Sequence, residues 1–448
     1  GGAGGPSNVP GDYMWYMPIG ALDFANGAWG IMRVGDPTGL QSIGNGGSTD
    51  VPDICASATG TQTYNVAAIE SPRRTLEAAK IFVLADADGN PLLDEVEKGQ
   101  PLVMRANSGD CITVRLFNQL DDGHVGMTPG LLTLDPNSSY GFNFGDNADG
   151  QTVAPGDDIV YTWYAEPQMK PADGSLLNPD KGIGAIEWSN LGNKEQKRAL
   201  GLSYIASFAN VPEDLNDGLF AALVVEPKGS FWFDSETGRT LNPKKRTSVS
   251  AVIVPPNGKA FREHVLFMHE NSVEFISNIR PLDSAVTAGA AFNYRRSPGG
   301  MLTKTDPRKI NSIHLVTSQA GDPTRVRLVY TNGSEDVAFR LDGHRGPIEA
   351  GTKHSNNLNV WPMNVGHKHD IELDGGASSF PGDYLFGATE HRRLMDGGQW
   401  GIFRVIDADE AAALGAKDPE TRLRGFTTLE RATKKAQRKR DKGKEPNS

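Results

Sequence analysis

Few residue types in this chain could do chemistry, and histidine is the main one, with nine copies among 448 residues. His367 and His369 form an H-K-H run. On a strand that spacing puts both imidazoles on one face, because strand side chains alternate with a period of two. Such a pair is a candidate metal site. His344 follows Phe339-Arg340-Leu341-Asp342-Gly343, and His391 sits beside Glu390 in a loop. Each is a lone imidazole, a residue more often hydrogen-bonded in place than used as a ligand. His264 and His269 are an odd number apart and would face opposite sides of one strand. His124 and His314 have no partner visible in the sequence, and His354 lies in a polar loop. The metal-ligand candidates are therefore His344, His391, His367 and His369.

Other chemistry is thinly represented. The two cysteines, Cys55 and Cys111, are open to two readings: one disulfide in an oxidising compartment, or two unrelated buried thiols. Neither stands in a C-x-x-C or Cys/His cluster of the kind that binds zinc. Asp86-Ala-Asp88-Gly89-Asn90 lacks the D-x-D-x-D-G spacing of a calcium loop and reads as a hairpin turn. No G-x-S-x-G, P-loop, dinucleotide fingerprint or H-E-x-x-H occurs, so the sequence assigns no catalytic and no cofactor-binding residue.

These side chains must be carried by strands. Gly (52) and Pro (28) together make nearly a fifth of the chain, which suits short strands joined by turns better than helices. Asp409–Ala416 is the one helical candidate. The Arg431–Lys444 stretch, with eight basic residues in fourteen positions, reads as a disordered tail. The net charge of -10 argues against nucleic acid as the main partner. No apolar run reaches the ~20 residues of a membrane span, so no transmembrane segment is expected.

Two segments repeat without a gap. GDYMWYMPIGALDFANGAWGIMRV (11–34) matches GDYLFGATEHRRLMDGGQWGIFRV (382–405), each a Gly-Asp turn, a strand, a polar excursion and a W-G-I-x-R-V strand. A weaker repeat, G-D-x-x-x-V-R-L, opens strands at Gly109 and Gly321. The order of these elements implies a chain that starts inside the closing hairpin of one domain and continues through two complete ones. The expected division is 1–49, closing strands and linker; 50–228 and 229–412, one sandwich each; and 413–448, helix and tail. Length supports several domains.

The G-D-Y-L-F…W-G-I-F-R-V run, V-A-P-G before Y-T-W-Y-A, and D-G-L-F-A-A-L-V-V-E-P together resemble multicopper oxidases, closest to the large bacterial manganese-oxidase-like group. The resemblance spans about residues 11–405. It implies an all-β fold of tandem cupredoxin-like Greek-key β-sandwiches. That family holds copper through Cys and paired histidines, ligand types suited to copper. Here its F-H-L-H-G-H pattern is matched by Phe339-Arg340-Leu341-Asp342-Gly343-His344. Its G-D-Y-L-Y-H-C-H is matched by Gly382 to Thr389, with Ala388 or Thr389 in place of the cysteine. Its Met before the last W-G is Gln399, a His slot is Asp217, and the N-terminal slots are Tyr16, Met17 and Pro18. Arg340 and Asp342 are expected to pair with each other.

The resemblance therefore implies a copper-site-depleted part of a multicopper-oxidase-like protein, acting as scaffold or assembly part. Blue copper is not expected in this chain, though copper elsewhere in an intact protein is compatible with it. The alternatives are an active copper-dependent oxidase whose ligands lie mainly in upstream domains, and a structural surface or filament protein. Expected partners are upstream cupredoxin domains or another copy of the chain, and the expected location is extracellular or at the cell surface.

Overall fold

The computed structural model describes residues 9–16, 27–35, 53–72, 78–166, 168–170, 196–198, 201–211, 213–256, 259–271, 289–297, 313–333, 336–348, 355–388, 392–414 and 425–444. Strands dominate it. Alternation of apolar and polar residues builds one sheet in the order Lys80–Leu84, Gly60–Glu70, Asp110–Asn118, Asp158–Tyr164, Thr133–Leu134. A second sheet runs Leu102–Asn107, Phe220–Glu226, Gly201–Ala206, Thr128–Pro129. Their inner faces meet over Tyr161, Trp163, Met104, Val114 and Leu223, all essentially inaccessible.

The later half repeats the plan. Phe231–Asp234, Ser250–Val254, Phe261–Asn271, Thr324–Asn332 and Lys368–Glu372 form one sheet, with Gly289–Phe292 added beside Phe261–Asn271. The facing sheet runs His314–Gln319, Trp400–Ile406, Gly382–Gly387, Val337–Leu341, Val360–Met363. Phe292, Phe339, Trp361 and Phe386 fill the space between them. Asp110–Asn118 and Thr324–Asn332 are the two strands expected after the Gly-Asp turns. Gly109 and Gly321 hold φ of 91° and 77°, which a residue with a Cβ adopts only under strain.

The gapless repeat folds as two hairpins in one register. Gly11 faces Val34 and Gly382 faces Val405. One pair further in, Arg33 Nε lies 2.7 Å from Asp12 Oδ1 and Arg404 Nε lies 2.7 Å from Asp383 Oδ1. The Asp of G-D-Y and the Arg of I-x-R-V thus meet across the strands. In the later hairpin, Trp400–Ile406 gains a parallel neighbour, His314–Gln319. The N-terminal hairpin pairs with no third strand among the described residues. It was expected to need cover from outside its own chain, but the first sandwich supplies part of it. The amides of Asp12 and Met14 donate to Asn147 Oδ1 (2.9 Å) and the Tyr140 hydroxyl (3.1 Å), and Arg33 Nη1 reaches Asp146 at 2.9 Å.

The two sandwiches share a third core. Val103, Phe220, Ala222 and Val224 point out of the first and pack on Val265, Phe267, Tyr294 and Val329 of the second. Buried on both faces, Phe220–Glu226 is a continuous apolar run instead of an alternating one.

The basic C-terminal stretch is a correction. Leu429–Asp441 is a helix, capped by Thr428, whose side chain accepts from the Arg431 amide. Ala432 and Ala436, four residues apart and so on one face, are buried against Phe231, Phe233, Val252 and Val254. Lys435 and Arg440 lie over the Phe233 and Phe231 rings. Counting charges hid a narrow alanine stripe that is enough to dock the helix. Ala408–Leu414 is helical as expected. No helix among the described residues is long and apolar enough to cross a membrane.

Candidate functional site

His344, the histidine retained in the motif, is held in the turn that follows Val337–Leu341. Val337–Leu341 pairs with Gly382–Gly387 through Arg340–Gly387 and Leu341–Phe386, which sets the following turn beside Tyr384. The Ser378 amide donates to His344 Nε2 at 3.0 Å, so that nitrogen is the acceptor. Nδ1 therefore carries the proton and donates to the Asp342 carbonyl at 2.9 Å. Tyr384 and Phe403 flank the ring edge-on at 4.8 and 4.9 Å. Burial pushes the imidazole below its ordinary range, countered by the Asp342 bond. This is a neutral histidine whose single lone pair is already taken by the backbone.

The other motif slots, where described, hold no thiolate or imidazole. Arg340 Nε lies 2.6 Å from Asp342 Oδ1, the expected pairing, with both side chains about 40% exposed. Such a pair is screened by water and holds local geometry with little net energy. Ala388 is fully buried, and its amide donates to the Gln399 carbonyl at 3.2 Å. Gln399 is buried too; its Nε2 donates to the His269 carbonyl at 3.3 Å, and its Oε1 has no partner. Asp217 pairs with Lys80 at 3.1 Å. A methyl group, a buried amide and a salt-bridged carboxylate do not replace thiolate and imidazole as ligands for copper.

The remaining candidates are scattered. His367 is exposed and sits in the turn before Lys368–Glu372, so only His369 lies on that strand. His369 Nε2 lies 3.1 Å from the Pro362 carbonyl. His391, Thr389, Met17, Pro18 and His354 lie outside the described residues. His264 and His269 do face different layers, the former against Phe403, the latter against Phe220 and Tyr294. His124 is exposed, near Thr152. Among the described residues no three His, Cys, Asp or Glu are grouped as a metal site. Cys55 and Cys111 are joined in a disulfide, which decides between the two readings of that pair.

The densest polar cluster was missed at the sequence level. Arg105 of the first sandwich and Arg327 of the second both grip Glu263, each at 2.5 Å. Arg327 also pairs with Glu226 of the first sandwich and, at 2.9 Å, with Asp370. Arg105, Glu226, Glu263 and Arg327 are all at most 3% exposed. Burial would push the Glu263 carboxyl up, but the two guanidiniums outweigh it and hold it at about 2. Burial dominates at Glu226 and raises it despite Arg327. The available signal was a lone charge inside an otherwise apolar strand, as in LVMRAN and FAALVVE. The cluster contains no nucleophile and ties the two sandwiches together.

Strand order and the repeated hairpins define an all-β protein of tandem cupredoxin-like β-sandwiches. No known family's sequence profile matches the chain, and no curated protein matches it. Similar solved structures include a copper nitrite reductase from Nitrosomonas europaea, at 12% identity, covering 83% of this chain and 99% of that one, with a TM-score of 0.47. A blue copper oxidase from Nitrosomonas europaea is 14% identical over 82% of this chain and 92% of that one, TM-score 0.45. A laccase from Botrytis aclada is 12% identical over 83% and 56%, TM-score 0.44.

Proposed function

We propose that this chain is a copper-site-depleted scaffold of a multicopper-oxidase-like protein, in which two sandwiches of about residues 50–228 and 229–412 carry the N-terminal hairpin and present it for assembly. The observation that carries this reading is His344, the one histidine kept in the motif, with both ring nitrogens spent on backbone groups. Ala388 and Gln399, both sealed into the core, support the same reading. Assembly partners are upstream cupredoxin domains or another copy of the chain. The disulfide supports the reading of an oxidising compartment, outside the cell or on its surface.

Metal analysis tests it. The purified chain, loaded with copper and then desalted against a weak chelator, should retain well under one copper per chain and show no thiolate-to-copper charge-transfer band. Retention of one copper or more, abolished by His344→Ala, would overturn the scaffold reading in favour of an oxidase.

A further inference from the structure

Where the N-terminal hairpin and both sandwiches meet, a cleft of about 300 Å³ opens. This volume lies at the small end of the range for small-molecule sites. Its wall is aromatic. Tyr16 of the hairpin stands 5.7 Å from Phe208, Phe208 stands 5.7 Å from Phe142, and Phe142 stands 5.3 Å from Tyr140, measured between ring centres. One cationic group interrupts that wall. Lys368 is contributed by the second sandwich, and its Nζ donates to the Leu202 carbonyl. No carboxylate lies within ion-pairing distance of it among the described residues; Asp370, two residues on, is engaged by Arg327 at 2.9 Å.

A desolvated ammonium bonded only to a carbonyl is unfavourable when left alone. Burial pushes the Lys368 amine down to about 8, against the pull of Asp370 and with the help of Arg327. The amine would be satisfied by an anion that also accepts hydrogen bonds. The rings beside it favour a flat apolar body, which stacks or meets edges with aromatic neighbours. A cationic ligand is disfavoured by Lys368. On a chain of net charge -10, an anion needs a local cation to stay.

We propose that this cleft binds a small planar aromatic carboxylate, its ring among Tyr16, Tyr140, Phe142 and Phe208 and its carboxylate on Lys368. The site does not depend on the scaffold reading: of the motif slots it uses only Tyr16, and that only as an aromatic wall.

Isothermal titration calorimetry of the full chain with 2-naphthoate and with its neutral isostere 2-naphthamide tests the proposal. The expected result is saturable binding of one 2-naphthoate per chain, with the amide at least tenfold weaker. Lys368→Met should weaken 2-naphthoate at least tenfold while leaving the amide within about twofold. Phe208→Ala, which removes a wall ring, should weaken both ligands several-fold, and it keeps the test standing if Lys368→Met does not fold. Absence of saturable naphthoate binding, or equal affinity for acid and amide in the unmodified chain, would overturn the proposal. So would 2-naphthoate binding that neither substitution changes.

Discussion

Arg105 Nη1 lies 2.5 Å from Glu263 Oε1 across the junction of the two sandwiches, with both side chains buried. Removing one partner of a buried pair leaves the other charge uncompensated, which costs more than the intact pair gains. Glu263→Gln leaves Arg105 without its carboxylate and takes one of three from Arg327, in a dry interface. It should lower stability by about 3–5 kcal/mol. Denaturant unfolding followed by fluorescence would read this, and the single transition should split as the sandwiches uncouple. An unchanged midpoint would show that the cluster does not lock them.

Acid should act through a buried histidine. His264 sits between Ser250 (2.9 Å) and Ser318 (3.1 Å), and burial, with Arg262 adding to it, pushes it down to about 3. The unfolded chain takes up the proton near the ordinary 6.5, so the native state binds fewer protons between these values. Stability from this group is therefore full above 6.5 and lost as pH falls from 6.5 toward 3, at up to about 1.4 kcal/mol per pH unit. Thermal melts across that window should show a flatter acid limb for His264→Gln than for the unmodified chain. Parallel profiles would refute it.

The Cys55–Cys111 bridge closes a loop of 56 residues in sequence separation. Chain entropy puts its contribution at about 4 kcal/mol. Cys55→Ser with Cys111→Ser should lower the urea midpoint accordingly, and reductant should lower the midpoint of the native chain but not that of the variant. Equal midpoints for native chain and variant would count against it.

At the C-terminus, Ala436 is fully buried against the Phe231 and Phe233 layer. Ala436→Phe overfills that seam and should cost about 1–3 kcal/mol, largely by releasing the helix. Limited trypsin digestion would report it. The native tail, rich in cleavage sites, should survive longer than the variant's, and equal rates would mean the helix is not docked.

Much of the frame was legible in the sequence. Ungapped G-D-Y and W-G-I-x-R-V segments specified both hairpins, because a period of two and a Gly-Asp turn leave little choice of register. The Arg340–Asp342 pair was legible as well: Arg340 lies next to the end of its strand and Asp342 opens the turn after it, so they meet without help from the rest of the fold.

What only the tertiary structure decided are contacts between residues far apart in the chain. Glu263 meets Arg105 from 158 positions away, and both look like misplaced charges until the sandwiches close on them. H-K-H reads as a strand pair, but the turn ends one residue too late, and His367 stays outside the strand. The basic tail looks soluble by charge, yet two alanines dock it because Phe231 and Phe233 offer a surface shaped elsewhere in the chain. The Lys368 cleft has no local signature at all, since its walls come from three separate parts. Local pattern fixes which face of an element is apolar; which faces meet depends on packing, and packing is non-local.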